Sequence, residues 1–169
     1  IETEYDVIVA GYGPVGETCA NLLGYYGIKA LILDKEKDAY PLPRAITWDA
    51  ECQRAMSHCN FLTEVKTRKI RGVDNKDANK KSILKITMDS FDTYNYQHSI
   101  LFIHQPQFDE AHRTNAKKYQ TNTIKTGNKI LSVEQSNGIV NCTYKDIKTG
   151  EETNTSSRYL LACDGANST

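Results

Sequence analysis

Three glycines spaced as Gly11-Tyr12-Gly13-Pro14-Val15-Gly16 carry the strongest chemical signal in the chain. This spacing suits a phosphate. Gly11 permits a tight turn, Gly13 lets an anion approach a backbone without a Cβ, and Gly16 allows close packing of the helix that follows. The first turn of that helix offers unpaired N–H groups and a partial positive charge. Pro14 costs nothing there, because its missing N–H would have no partner anyway. Asp34 lies about 20 residues further on, where an acidic side chain accepts hydrogen bonds from a ribose and repels the extra phosphate of NADP. Lys35 follows it and is counted with the same site. These residues point to NAD or FAD and do not separate the two.

The loop needs a strand before it, a helix after it and a second strand beyond. Tyr5 to Ala10 is short, apolar and β-branched, as expected of a strand buried on both faces of a parallel sheet. Val15 to Tyr26 reads as a helix, with Gly27 as its C-terminal cap. Lys29 to Leu33 is the second buried strand. Asp34 to Arg44 is polar and, through Pro41 and Pro43, extended. A helix is expected over Asp49–Cys59, capped by Asp49, with Cys52, Ala55, Met56 and Cys59 on its apolar stripe. Residues 66–89 alternate, with turns at Asp74-Asn75 and at Asp77-Ala78-Asn79 and a clearer strand at Ile83–Met88. Residues 90–104 are rich in Tyr and Phe and give no clear element. Pro106 opens a helix running to about Tyr119. The last third reads as a β-meander: Lys129–Glu134, a hairpin at Asn137-Gly138, Ile139–Lys145, a turn at Thr149-Gly150, and a buried strand at Tyr159–Cys163.

Three further segments, taken in order after the glycine loop, resemble the class A flavoprotein monooxygenases, the FAD-dependent aromatic hydroxylases, and among them the 3-(3-hydroxyphenyl)propionate hydroxylases. Tyr40-Pro41-Leu42-Pro43-Arg44-Ala45-Ile46-Thr47-Trp48-Asp49-Ala50-Glu51 resembles the segment where that family sets an arginine near the FAD pyrophosphate and flavin, here Arg44. A guanidinium on a proline-stiffened loop suits bidentate phosphate contact. Ile103-His104-Gln105-Pro106-Gln107-Phe108-Asp109-Glu110 is similar to the helix start whose glutamine reaches the cofactor, here Gln105. Leu160-Leu161-Ala162-Cys163-Asp164-Gly165-Ala166-Asn167-Ser168 resembles the family's Asp-Gly fingerprint, which implies FAD contacts from Asp164 and Gly165.

The resemblance implies a Rossmann-like α/β FAD-binding domain over residues 1–169, a parallel sheet with a βαβ opening plus the meander. It implies FAD as cofactor, NADH or NADPH as co-substrate of the complete enzyme, and oxygen transfer to a small phenolic or aromatic substrate. The family's second flavin motif and most of its substrate-binding sheet lie beyond residue 169. The chain therefore reads as an inactive fragment with no catalytic residue of its own. Two residues depart from the family pattern. Tyr12 is bulkier than usual, and Glu17 stands where an apolar residue is common, a carboxylate that would mildly oppose a pyrophosphate.

Composition narrows the partners. Lys+Arg and Asp+Glu both number 21, so nothing marks a nucleic-acid or anionic-membrane surface. The basic runs Lys66–Arg71 and Lys76–Lys81 read as solvated strand ends. No apolar run approaches a membrane span, and the acidic N-terminus has no secretory pattern, so a cytoplasmic protein is expected. Self-association into a homo-oligomer stays open. The five cysteines are scattered, and Cys52, His58 and Cys59 are better read as part of a helix than as a metal site. His58, His98, His104 and His112 have no catalytic partner in the sequence. The alternatives to a hydroxylase are an NAD-dependent Rossmann dehydrogenase and a stand-alone nucleotide-binding module. The dehydrogenase would require further βα units after Leu33.

Overall fold

The computed structural model describes residues 2–59, 61, 65–88 and 100–167. The expectation for His98, the aromatic stretch up to residue 99 and Ser168 lie outside the described residues. The chain divides into two compact units, one formed by residues 1–41 and 109–169, the other by residues 42–108.

The first unit opens with β1 (Tyr5–Ala10), α1 (Pro14–Tyr25) and β2 (Ala30–Asp34), the expected βαβ. Tyr26 is the C-cap residue of α1, and Gly27 follows with φ +71 and donates its N–H to the Gly24 carbonyl. Only a residue without a Cβ enters that left-handed region freely. The buried face of α1 is Gly16, Glu17, Ala20, Asn21 and Gly24. Small residues every four positions make a flat stripe that lets the helix lie close. A Cβ on Gly24 would meet the Tyr119 ring at 2.5 Å.

The second unit contains β3 (Thr47–Asp49), α2 (Ala50–Ser57), β4 (Arg68–Lys69), β5 (Gly72–Lys76), β6 (Ser82–Thr87) and β7 (Ile100–Phe102). Asp49 caps α2 as expected, accepting from the Cys52 N–H at 2.8 Å. The expected apolar stripe needs correction: Cys52 is exposed, and the buried residues of α2 are Gln53 and Met56. Gln53 displaces it because its side-chain amide donates to the Trp48 carbonyl, 3.0 Å away, which removes the cost of burial. Asp74-Asn75 is no turn. Both residues lie inside β5, and the chain reverses only at Asp77, whose side chain accepts from the N–H groups of Asn79 and Lys81. An Asx turn of this kind outcompetes a bare Asp-Asn pair. β5 and β6 form a two-stranded antiparallel ladder on which Ile83, Leu84 and Ile86 remain exposed. Around Trp48, the rings of Phe61 and Phe108 meet edge to face at 6.0 and 5.0 Å.

Helix α3 (Gln105–Ala116) contains the boundary between the units. After it come β8 (Asn122–Thr126), β9 (Asn128–Ser136), β10 (Ile139–Asp146) and β11 (Glu152–Ala162). The six-stranded sheet of the first unit runs β8-β2-β1-β11-β10-β9. Its first four strands are parallel and the last three form the antiparallel meander, so β11 belongs to both arrangements. β11 is longer than expected, because its polar half from Glu152 pairs with β10 and only its apolar half lies beside β1. β8 has no counterpart in the sequence reading. Its residues Asn122 to Thr126 are mostly polar because it is an edge strand, paired among the described residues only with β2. β1 and β2 are buried on both faces, whereas the end of β11, expected as a buried strand, leaves Tyr159 and Leu161 exposed. Val7, Val9, Ala30 and Ile32 pack with Ala20 and Ala116, while Ile8, Leu31 and Leu33 pack with Cys142 and Tyr144 of β10.

Candidate functional site

The glycine loop sits where β1 passes into α1, between the C-terminal ends of β2 and β11. The Gly11 N–H donates to the Leu33 carbonyl, and Cys163 N–H donates to the Ala10 carbonyl, each at 2.7 Å. The three glycines have three different reasons to be glycine. Gly11 has φ +99, and a Cβ there would lie 2.5 Å from the Cys163 carbonyl oxygen and 2.9 Å from the Asp164 Cα. A Cβ on Gly16 would collide with the Gly11 carbonyl, so the close approach is between helix and loop. Gly13 has an ordinary φ of −85, and nothing lies within 4 Å of where its Cβ would be. The protein does not need that space. A phosphate does, and Gly13 is the N-cap of α1 with no side chain capping the helix. The Glu17 N–H already donates to the Gly13 carbonyl at 2.8 Å, which leaves the amides of the first turn for an anion. The loop therefore fits a pyrophosphate.

Asp34 ends β2 beside this loop. Its Oδ2 accepts from the Tyr12 N–H at 2.6 Å and its Oδ1 from the Glu36 N–H at 2.8 Å. The carboxylate thus anchors the loop, a role the sequence reading did not assign. Each oxygen retains acceptor capacity for a hydroxyl donor. Asp164 and Gly165 follow β11 beneath Gly11, with Gly165 at φ +77 opening a short 3-10 turn, Gly165–Asn167. Lys35 is exposed. Cys163 and Cys19 of α1 touch across the same corner, their sulfurs 4.0 Å apart, and burial pushes the Cys163 thiol up to about 11.

Under the loop lies a polar cluster that the sequence reading missed. Glu17 is 1% exposed, and its Oε1 accepts from Arg113 Nε at 2.6 Å. Arg113 Nη2 donates to the Tyr12 carbonyl, and its guanidinium lies over the Tyr12 ring, 4.7 Å from the centroid. His112 Nδ1 is 3.8 Å from Glu17 Oε2. Asn21 donates to the carbonyls of Glu17 and His112 and accepts from Asn115, which joins α1 to α3. Burial pushes the Glu17 carboxyl up to about 8, against the pull of the Arg113 hydrogen bond. Burial alone lowers His112 to about 3, and burial with the Glu17 charge raises Tyr12. The unusual Glu17 was the visible signal. Its partner is Arg113, on the buried-facing side of α3.

On the second unit, Arg44 and Gln105 come together. Gln105 is buried, and its Oε1 accepts from the backbone N–H of Arg44 at 2.6 Å and of Ala45 at 2.7 Å. Gln105 therefore shapes the proline–arginine loop, and the Arg44 side chain is exposed. Among the described residues no group of three or more His, Cys, Asp or Glu could hold a metal ion. Among them, too, no helix is long and apolar enough to cross a membrane.

A family model described as FAD binding domain matches residues 4–169. The chain belongs to that family. Its cofactor is FAD, which resolves the choice that the glycine loop left open. The FAD-binding domain is 28% identical over 169 residues to a 3-(3-hydroxy-phenyl)propionate/3-hydroxycinnamic acid hydroxylase of Comamonas testosteroni, covering 99% of this chain and 28% of the relative. It is 26% identical over 171 residues to the para-nitrophenol 4-monooxygenase of Pseudomonas sp. (strain WBC-3), covering 100% of this chain and 42% of the relative. In fold it matches the crystal structure of p-nitrophenol 4-monooxygenase PnpA from Pseudomonas putida DLL-E4, with a TM-score of 0.88 at 22% identity over 100% of this chain and 43% of that one. The chain thus spans less than half the length of the proteins it matches.

Proposed function

We propose that this chain is the FAD-binding part of an NAD(P)H- and O₂-dependent monooxygenase that hydroxylates a phenolic or other small aromatic substrate. The observation that carries the reading is the open approach at Gly13 above the uncapped first turn of α1. The relatives' names supply the aromatic hydroxylase class. FAD supplies the redox and oxygen chemistry when bound, and the chain's residues supply binding and orientation. In this reading the amides after Gly13 take the pyrophosphate, with Gly11, Pro14 and Gly16 setting their geometry. Asp34 accepts from the ribose, with Lys35 beside it, and Asp164 and Gly165 line the cofactor from the end of β11. On the second unit, Arg44 is a phosphate-seeking guanidinium whose loop Gln105 holds in shape. The residues 1–169 act as one cofactor-binding domain, and the unbridged cysteines suit the reducing cytoplasm.

The test is a titration of the purified chain with FAD and with NAD, read by flavin absorbance and calorimetry. FAD binding in preference to NAD is the expected outcome. Tight NAD binding with no flavin would replace the reading with a dehydrogenase domain. The chain alone should not consume NAD(P)H in response to a phenol, since it spans less than half the length of the hydroxylases it matches.

A further inference from the structure

We propose that Arg113 is a positioning residue for the cofactor: through Glu17 and the Tyr12 carbonyl it holds the glycine loop in the conformation that receives the pyrophosphate. This rests on the FAD reading of the loop. Arg113 does not sit among the residues that resemble family motifs, and its role follows from contacts alone. The loop residue Tyr12 is held on three sides. Asp34 takes its N–H, Arg113 takes its carbonyl, and the same guanidinium covers its buried ring. Gly13, the open approach for the anion, is the next residue along. Both peptide groups that flank Tyr12 are therefore fixed by charged side chains from other elements, one from the end of β2 and one from α3.

Glu17 completes the device. It sits one residue past Gly16 and is wholly buried, where burial favours its protonated form. Arg113 bonds it at 2.6 Å, so that any charge Glu17 acquires on losing its proton, which would oppose the bound phosphates, is balanced by the guanidinium. A guanidinium can bond Glu17 through Nε and Tyr12 through Nη2 at once because its donors are fixed in one plane. A lysine ammonium cannot hold this fork. Asn21 and Asn115 keep α1 and α3 in register beneath it.

Three variants of the full chain separate positioning from mere core filling. Arg113→Lys keeps a positive charge near Glu17 but loses the fork. It should weaken FAD binding about tenfold and speed amide exchange in residues 11–17, with β1 and β2 still protected. Glu17→Gln keeps an acceptor for Arg113 and should leave loop exchange near wild type. The double variant Glu17→Leu with Arg113→Met replaces the buried pair by apolar side chains, a swap that folds often tolerate. It should melt near the wild-type temperature yet still bind FAD about tenfold more weakly. Wild-type FAD affinity and loop exchange in the double variant would overturn the proposal. If the wild-type chain itself binds no FAD, the FAD reading fails instead, and the exchange measurement still reports whether Arg113 orders the loop.

Discussion

Gly11, Gly13 and Gly16 look alike in the sequence but differ in what a side chain would cost. A Cβ at Gly11 or Gly16 meets backbone, while a Cβ at Gly13 meets nothing. Gly13→Val should therefore leave the melting temperature near wild type and still abolish measurable FAD binding. Gly11→Ala should lower stability as well, because it combines a collision with a φ that L residues rarely adopt. Unchanged FAD affinity in Gly13→Val would remove the pyrophosphate from the loop. Asp34→Ala should cost stability on the order of 1–3 kcal/mol, since the Tyr12 amide loses a charged acceptor. Urea denaturation measures that directly. The buried pair Glu17 and His112 adds a pH dependence with two opposite slopes. Glu17 is raised from 4.5 to about 8, so the folded chain keeps a proton that the unfolded chain releases, and stability falls as pH rises through that window. His112 is lowered from 6.5 to about 3, so stability falls as pH drops through that window. The slopes oppose each other where the windows overlap, which places a broad stability maximum there. Each slope is at most about 1.4 kcal/mol per pH unit. Glu17→Gln should flatten the alkaline side only, as denaturant titrations from pH 4 to 9 would show.

At the scale of elements, the helix ends and hairpins obey local rules. Asp49 caps α2, Gly27 follows the C-cap of α1, and Asn137-Gly138 turns between β9 and β10 with both residues at positive φ. The faces of the elements obey tertiary ones. On α2, Cys52 points outward and Cys59 beyond its end is buried. Alkylation of the native chain followed by peptide mapping should modify Cys52 first, with Cys59 and Cys142 protected. Early modification of Cys142 would contradict its burial on β10 beside Ile8, Leu31 and Leu33, where burial also pushes its thiol up to about 11. At the start of α3, Gln105→Ala should leave the amides of Arg44 and Ala45 without their acceptor. Hydrogen exchange at residues 42–46 should then rise, while α1 and the six-stranded sheet keep their protection.

At the scale of the whole molecule, the sheet collects what the chain scatters. β1 and β11 lie at opposite ends of the sequence yet pair residue by residue, Val7 with Tyr159 and Ala10 with Ala162. That pairing carries Asp164 to the glycine loop. FAD binding to this assembled form should raise the unfolding free energy by about 2.7 kcal/mol at a hundredfold excess over Kd. NADP should give no such shift, because Asp34 repels a 2′-phosphate. A melting series with both nucleotides checks this.

The amino-acid sequence alone determined the βαβ opening, the loop, the caps and the turns at Asp77, Asn137-Gly138 and Thr149-Gly150, because each depends on residues within a few positions of one another. It also held the three segments by which the chain resembles FAD-dependent hydroxylases. Only the tertiary structure decided the rest. The edge strand β8 is polar and has no signal of its own until β2 supplies its hydrogen bonds. The polar half of β11 is a strand because β10 lies beside it. Glu17 looked like an opponent of the phosphate until α3 placed Arg113 against it. For β8 and Glu17 the deciding energy is a contact between residues far apart in the chain, and for β11 it is the ladder formed with β10, and neither is encoded in spacing or composition.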